Sequence, residues 1–247
     1  MLPSLVAMFV LLAASPEATE RPSYLFNTEL LSDSAAPPRG ERYHARPGDV
    51  VLFNDHSSFT HMVYRFRHTG GPLHAAIVFR KEDGSMGILE AGTNAVMKVF
   101  VFDLETRLHG FNGTVVVRRL HKPLTDEQSA KLRDFALAQE GKPYAIGRVI
   151  LQLTPFRPRN SLLAHIFGGT VLDRERWICS ELVVASIATA GVWEPQAFPA
   201  NTRYPRDLCY DERFDLSPYY QAPALWYPRA ELEYVGKGVR VISPKER

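Results

Sequence analysis

The residue in this sequence best suited to covalent chemistry is Cys179, which lies at the start of a predicted helix. Apolar residues recur after it at helical spacing, and Gly191 is a suitable C-cap, so we predict a helix over 178–190. Backbone N–H groups and the helix dipole in a first turn favour negative charge and lower the pKa of a thiol. Cys179 is therefore a candidate nucleophile. The alternative is a buried cysteine that packs as a small apolar side chain.

A nucleophilic thiol needs a base, and one predicted β-hairpin carries both a histidine and a carboxylate. His74 lies in a strand predicted over 73–79, and Glu90 ends a second strand predicted over 86–90. The two residues are 16 positions apart. An even separation lets them lie directly opposite each other on one face of the hairpin. A carboxylate beside an imidazole fixes its tautomer and stabilises its protonated form.

The turn between these strands leaves two registers open. The first centres the hairpin on Glu82 and implies two further cross-strand pairs, Ala76 with Ile88 and Val78 with Met86. The second places a two-residue turn at Asp83-Gly84. That turn would pair His74 with Thr93 and move Glu90 to the other face of the hairpin.

The elements that must position these groups are predicted from apolar patterns and turn signals. The folded part is predicted to begin over 46–53, where a Pro47-Gly48-Asp49 turn leads into a short apolar strand. Further strands are predicted over 99–104 and 114–120, with a turn signal at Asn112-Gly113 before the last of them. Thr125 and Gln128 have capping-box spacing for a helix that Gly141 ends. The C-terminal part, 195–247, is predicted to be irregular apart from one late strand over 239–242.

Three further histidines, His56, His61 and His68, form the one cluster in the sequence that suggests a metal. Their separations of five and seven residues match none of the usual zinc spacings. We therefore predict a solvated loop or helix there and no metal site.

The N-terminus resembles an export signal. An apolar run over 5–14 is too short to span a bilayer comfortably, and small residues follow it. No basic residue precedes the run, so an uncleaved anchor and a misassigned start codon stay open as alternatives. We predict a signal-like segment over 1–20, a linker or loose arm over 21–45, a catalytic domain over 46–230 and an extension over 231–247. The expected location is outside the cytoplasm, with no stable membrane span after removal of the signal.

The composition argues against a nucleic-acid-binding protein and against a disulfide-rich fold. The net charge of +2, from 29 basic and 27 acidic residues, gives no reason to expect a nucleic-acid partner. Two cysteines, Cys179 and Cys209, cannot form a disulfide framework, and we predict that both stay unpaired. The oligomeric state is left open by the sequence.

Five pieces of sequence occur in a characteristic order. They are the Pro47-Gly48-Asp49 turn before an apolar strand, the strand of His74, the polar Glu90 one strand later, the Gly141-Lys142-Pro143-Tyr144 turn, and the Ile178-Cys179-Ser180-Glu181-Leu182 helix start. This order resembles the circularly permuted papain-fold hydrolases of the YiiX-like group. These are relatives of the NlpC-type cell-wall peptidases and of lecithin:retinol acyltransferase. In ordinary papain-like enzymes the cysteine helix comes first, whereas here it follows the histidine strand, and the resemblance covers about residues 46–208.

The resemblance implies a fold and a chemistry. The expected fold is α+β and permuted papain-like (NlpC-like), with an antiparallel sheet packed against the helix that carries the cysteine. Cys179 would be the nucleophile, His74 the general base and acid, and Glu90 the orienting group, with no metal and no cofactor.

The implied activity is that of a thiol hydrolase, an amidase or endopeptidase acting on cell-wall peptides through a cysteine thioester. Three alternatives stay open: a lipid-directed acyltransferase or thioesterase, a catalytically silent module that binds lipid or peptide, and a structural secreted domain. The expected partner is a small-molecule, peptide or lipid acyl substrate.

Overall fold

The structure is a computed structural model that describes residues 22–27, 40–55, 71–92, 97–148, 172–195, 204–211, 215–229, 232–235 and 238–241. The predicted signal run over 5–14 and the three histidines 56, 61 and 68 lie outside the described residues.

The described elements are mostly strands. The strands are β1 Ser23–Asn27, β2 Glu41–Arg42, β3 Val50–Asp55, β4 His74–Arg80, β5 Met86–Ala91, β6 Val99–Asp103, β7 Gly113–Arg118, β8 Ala224–Pro228, β9 Leu232–Val235 and β10 Gly238–Val241. The helices are α1 Leu104–His109, α2 Asp126–Gln139, α3 Cys179–Thr189 and α4 Pro205–Cys209.

Eight strands form one sheet in the order β2-β1-β8-β7-β3-β4-β5-β6, and β9 pairs with β10 in a separate hairpin. Each pair of neighbouring strands in the large sheet is antiparallel. With its helices, this sheet confirms the predicted α+β fold.

The sheet is covered on both faces. Ala75 and Ile77 of β4 pack with α3 residues such as Leu182 in the larger core. Ala76 and Val78 of the same strand belong to a second core that includes residues of α1. Strands buried on both faces are apolar throughout rather than alternating, which is the pattern of β4.

The two helices predicted from capping signals are confirmed. The side chain of Thr125 accepts a hydrogen bond from the Gln128 backbone N–H, and the side-chain oxygen of Gln128 accepts one from the Thr125 backbone N–H, so α2 begins with a capping box. Helix α3 begins at Cys179 and ends at Thr189, inside the predicted range of 178–190. Gly191 follows with φ of 73°, a left-handed conformation suited to glycine at a helix end.

The register of the β4–β5 hairpin corrects both sequence-based alternatives. Glu90 pairs with Ala76, and Val78 pairs with Ile88. The predicted pairs His74–Glu90, Ala76–Ile88 and Val78–Met86 are therefore wrong, and so is the pairing of His74 with Thr93.

The turn explains this register. The Lys81 backbone N–H donates to the Ser85 carbonyl at 2.8 Å, so a three-residue loop ending at Gly84 joins the strands. Gly84 has φ of 84°, the left-handed conformation that such loops require at this position. Asp83 accepts from the Ser85 backbone N–H at 2.9 Å and from its hydroxyl at 2.6 Å. The shift is two residues, so His74 and Glu90 remain on one face, as predicted.

The strands on either side of Asn112-Gly113 do not pair with each other. Strand β6 pairs with β5 at one edge of the sheet, whereas β7 pairs with β3 and β8, and α1 connects β6 to β7. A Cβ added at Gly113 would lie 2.5 Å from the Asn54 carbonyl oxygen, so close strand approach accounts for this glycine.

The segment 21–45, predicted as a linker or loose arm, contributes to the sheet at both its ends. Strand β1 pairs along its whole length with β8, and β2 pairs with β1. Phe26 is fully buried and Tyr43 is 7% exposed. The composition of the residues between them, rich in Pro, Ala and Ser, gave no indication of these two short strands.

The C-terminal part is also more regular than predicted. Strand β8 lies inside the sheet between β1 and β7, and α4 precedes it. Prolines at 223 and 228 flank the apolar stretch of β8 and gave it the appearance of a loop. The late strand predicted over 239–242 corresponds to β10. Four aromatic residues of this half of the chain are buried in the core or packed against it: Trp193, Tyr219, Tyr220 and Trp226.

Candidate active site

Cys179 is the first residue of α3 and is 4% exposed. Its position is set by Trp177, which is fully buried two residues earlier. The Trp177 backbone N–H donates to the Pro143 carbonyl at 3.1 Å, and its own carbonyl accepts from Ala145 at 2.8 Å. The Trp177 indole N–H donates to Oε1 of Gln139 at 2.9 Å. These bonds hold the start of α3 against the end of α2.

The Gly141-Lys142-Pro143-Tyr144 turn connects this helix start to the sheet. Val99 of β6 donates to the Lys142 carbonyl at 2.8 Å and accepts from Gly141 at 3.0 Å. Gly141 has φ of 81°, which explains glycine at that point. The turn therefore pairs with the edge strand on one side and with Trp177 on the other, which positions Cys179 relative to β5 and β6.

His74 and Glu90 meet across neighbouring strands. Nε2 of His74 lies 2.9 Å from Oε2 of Glu90, although Glu90 is directly opposite Ala76. The His74 side chain is 19% exposed and Glu90 is fully buried. The His74 ring lies 5.9 Å from the Phe53 ring, which packs beside it. The imidazole is thus held between a carboxylate and an aromatic ring.

The thiol and the imidazole meet at the end of β4. Helix α3 packs on one face of the sheet, and His74 and Glu90 lie on the other face by strand alternation. Because His74 is the first residue of β4 and Cys179 the first of α3, the two side chains meet where the strand begins. They are close enough for each to shift the pKa of the other. Since Nε2 faces Glu90, Nδ1 is the ring nitrogen left for the thiol.

Electrostatics favour the charged form of this pair. Burial opposes a charge on His74, but hydrogen bonds to Cys179 and Glu90 outweigh it and raise the His74 pKa to about 9. Burial likewise opposes the Cys179 thiolate, but the His74 ring and the backbone amides of Ala75 and Ser180 lower the Cys179 pKa below its usual value. The arrangement therefore stabilises a thiolate beside an imidazolium.

Glu90 has a second cation, which the sequence analysis missed. Arg107 of α1 donates from Nε to Oε1 of Glu90 at 2.6 Å and from Nη2 to Oε2 at 3.0 Å. Burial opposes the Glu90 charge, but His74 and Arg107 together keep the Glu90 pKa below its usual value. The one sequence signal near Arg107 is Asp103, whose carboxylate caps α1 by accepting from the Thr106 backbone N–H at 2.9 Å.

The first turn of α3 contains a second buried carboxylate. Glu181 is fully buried, accepts from Nη2 of Arg148 at 2.8 Å, and accepts from the Ile178 backbone N–H at 3.4 Å. Burial raises the Glu181 pKa even though the arginine charge opposes the shift. Glu181 therefore caps the helix that carries Cys179.

Cys209 is not part of this site. It ends α4, is 1% exposed and is an unpaired thiol, as is Cys179. Burial raises the Cys209 pKa to about 12, so this thiol stays protonated at neutral pH. The two cysteines of the chain therefore occupy opposite electrostatic environments.

Comparison with known proteins identifies the fold. Residues 44–150, which include His74, Glu90 and Arg107, match a family described as permuted papain-like amidase enzymes of the YaeF/YiiX type, the C92 family. Over this stretch, which is less than half of the chain, the protein is similar to the permuted papain-like amidases. The match confirms the predicted resemblance and supports a cysteine hydrolase of the amidase type. Cys179 lies beyond the matched residues, on α3, which follows the strand of His74 in the chain.

One solved structure is also similar to this chain. It is described as the metalloprotein yiiX from Escherichia coli O157:H7, is 22% identical, and is matched over 60% of this chain and 67% of that chain with a TM-score of 0.41. No curated protein matches. In the part of the chain that the structure describes, no group of three or more His, Cys, Asp or Glu side chains could hold a metal ion. No helix among the same residues is both long and apolar enough to cross a membrane.

Proposed function

We propose that this protein is an exported thiol hydrolase that cleaves amide bonds in cell-wall peptides through a thioester on Cys179. The observation that carries the proposal is the position of His74 between two groups: its ring is hydrogen-bonded to the buried carboxylate of Glu90, and it lies close enough to Cys179 for each to shift the pKa of the other. Nucleophile, base and orienting group are the three parts that covalent acyl transfer needs.

In the first half of the reaction, the His74 ring holds the Cys179 proton and the thiolate attacks the substrate carbonyl carbon. A carbon–sulfur bond forms, and the carbonyl oxygen takes the negative charge. Backbone N–H groups at the start of α3 stabilise that oxyanion. The intermediate then collapses to a thioester, and the imidazolium donates its proton to the departing amine nitrogen.

In the second half, neutral His74 removes a proton from water, and the resulting hydroxide attacks the thioester carbonyl. The carbon–sulfur bond breaks, the product leaves as a carboxylic acid, and Cys179 returns as a thiolate beside imidazolium. Glu90 keeps Nε2 protonated and stabilises the positive charge on the ring in both halves. These steps need only the side chains present and one water.

Export and the class of substrate rest on other observations. The apolar run over 5–14, followed by small residues, supports a secretory signal. An exported amidase would meet the peptides of the cell wall, which offer amide bonds in extended and accessible chains. The net charge of +2 supports a substrate that is not a nucleic acid.

The test uses purified protein, soluble peptidoglycan fragments and a matched series of acyl esters. Wild-type protein is expected to release new amino groups from the fragments, C179A is expected to release none, and C209A is expected to act as wild type. A trapped acyl adduct on Cys179, seen as a mass increase of the intact protein, would identify the thioester. Amide cleavage that persists in C179A would overturn the proposal, and turnover of acyl esters alone would replace the peptide substrate by a lipid one.

A further inference from the structure

Arg107 is bound to the Glu90 carboxylate in a fork. Its Nε and Nη2 each donate to a different oxygen of Glu90, at 2.6 and 3.0 Å. Oε2 of Glu90 also lies within hydrogen-bond distance of Nε2 of His74, at 2.9 Å. One carboxylate therefore joins the guanidinium to the imidazole, and a bidentate fork fixes the plane of the carboxylate as well as its distance.

The guanidinium is itself held in place. Its central carbon lies 4.4 Å from the centre of the Phe53 ring and 5.2 Å from that of Phe111. Phe53 also packs beside His74, with the ring centroids 5.9 Å apart. The same aromatic ring thus contacts both cationic side chains that bind Glu90, which favours a single arrangement of all three.

The helix that carries Arg107 is short but well anchored. Asp103 caps its start by accepting from the backbone N–H of Thr106 at 2.9 Å and from its hydroxyl at 2.8 Å. Leu104 and Leu108 are buried in the core on this face of the sheet. Arg107 is therefore held beside Glu90 by a capped and packed helix rather than by a loop.

We propose that Arg107 is a positioning residue of the active site, which keeps Glu90 ionised and oriented toward His74 throughout the reaction. This rests on the proposed function of Cys179, His74 and Glu90.

The need for Arg107 follows from charge. When His74 gives its proton to the leaving group, the imidazolium that balanced Glu90 disappears. A carboxylate with no exposed surface would then be left without a counter-ion and would take up a proton. Arg107 carries a permanent charge, so Glu90 stays ionised in both states of His74. Among the described residues, the charged side chains recorded against Glu90 are His74 from β4 and Arg107 from α1.

The test measures alkylation of Cys179 by iodoacetamide against pH, because this readout needs no substrate. In R107M the Glu90 pKa should rise, so Glu90 stays protonated to higher pH. The ion pair of Cys179 with His74 should then form at a higher pH than in wild type. The acid limb of the profile is expected to move up by about one pH unit or more. R107K keeps the charge but lacks the fork, so it should lie between wild type and R107M. R119M is the matched control, because Arg119 is another arginine with little exposed surface that binds one carboxylate, the exposed one of Glu41, away from Glu90.

A double mutant separates positioning from general stability. If Arg107 acts through Glu90, R107M should slow alkylation of Cys179 in wild-type protein but change it little in an E90Q background. A merely structural arginine would have the same effect in both backgrounds. If R107M does not fold, the same comparison is made with R107K, alone and combined with E90Q. Identical pH profiles of R107M and wild type would overturn this inference alone, whereas an ordinary thiol profile in wild type would overturn the proposed function.

Discussion

Glu90 bonds the His74 ring diagonally across two strands, at 2.9 Å, while its backbone lies opposite Ala76. This geometry extends the carboxylate along the strand toward the start of β4, where Cys179 meets the imidazole. It also leaves both carboxylate oxygens open to Arg107 from α1. A directly opposed pair would bring the two side chains closer together and leave less room for the guanidinium.

The reactivity of Cys179 should depend on pH in a way that reports the ion pair. The Cys179 pKa is lowered and the His74 pKa is raised to about 9, so thiolate and imidazolium coexist in a pH range that ends near pH 9. We expect alkylation by iodoacetamide to rise at a pH below the ordinary thiol range and to change again near pH 9, where His74 loses its proton. H74A should move the rise to higher pH, because the thiolate loses its partner.

Cys209 supplies an internal control in the same experiment. Its pKa is raised to about 12 by burial, so its labelling at neutral pH should be slow in every variant. Peptide mapping after brief labelling measures both sites at once. Fast labelling of Cys209, or equal labelling of the two thiols, would contradict the assignment of Cys179 as the activated cysteine.

Three substitutions should differ in their effect on kcat/KM. C179A should abolish turnover, because no other nucleophile is in place, and H74A should be nearly as damaging, because both proton transfers are lost. E90Q should be milder: the amide still accepts a hydrogen bond from the ring but no longer stabilises its charge. Its pH–rate profile should also shift, since the Glu90 charge helps to raise the His74 pKa.

The effects of these substitutions should not add, because the groups act as a unit. C179A with H74A is expected to be no worse than C179A alone, with thermal unfolding used to check that each variant is folded. Near-normal activity in a folded C179A variant would exclude the thiol mechanism. If E90Q had no effect on activity while C179A and H74A did, the thiol mechanism would stand and Glu90 would be a structural carboxylate.

Both cysteines should remain unpaired in the purified protein, as they are in the structure. A disulfide between Cys179 and Cys209 would close a loop of about 30 residues and could stabilise the fold by roughly 3–4 kcal/mol, but it would consume the nucleophile. Mass spectrometry without reduction checks this prediction. A mass lower by two hydrogens, mapped to these two residues, would refute it.

Gln139 should matter for both stability and reactivity. It accepts from the Trp177 indole at 2.9 Å and from Nζ of Lys142 at 2.7 Å. Q139L would leave the buried indole N–H unpaired, at a cost of about 1–3 kcal/mol in the free energy of unfolding. Because Trp177 precedes Cys179 by two residues, alkylation of Cys179 should also slow.

The matched control is Q128L in the same helix, since Gln128 is partly exposed, caps the start of α2 and contacts the chain after the end of α3, at the Gly191 carbonyl, rather than the start of α3. Denaturant unfolding and alkylation, measured side by side, should show a smaller loss of stability in Q128L and unchanged labelling of Cys179. If Q139L were as stable and as reactive as Q128L, the link from α2 to the start of α3 would have no role in positioning the thiol.

The sequence by itself determined the parts of the site that depend on local interactions. The extent of α3 follows from its apolar spacing and from Gly191 after its end, and the start of α2 follows from the Thr125 capping box, because these signals are local. The shared face of His74 and Glu90 follows from the two-residue period of strands, which survives a register shift of two. These features need no knowledge of what packs around them.

Tertiary structure decided the rest, because the partners are distant in sequence and carry no periodic signal. The three-residue loop at Gly84 selected the diagonal contact of Glu90 with His74. Arg107 reaches Glu90 only because α1 folds back over the face of the sheet that the carboxylate occupies. Strand β8, flanked by prolines, becomes part of the sheet through pairing with β1 and β7 from the other half of the chain. Each of these contacts depends on packing between elements, which a single sequence does not reveal.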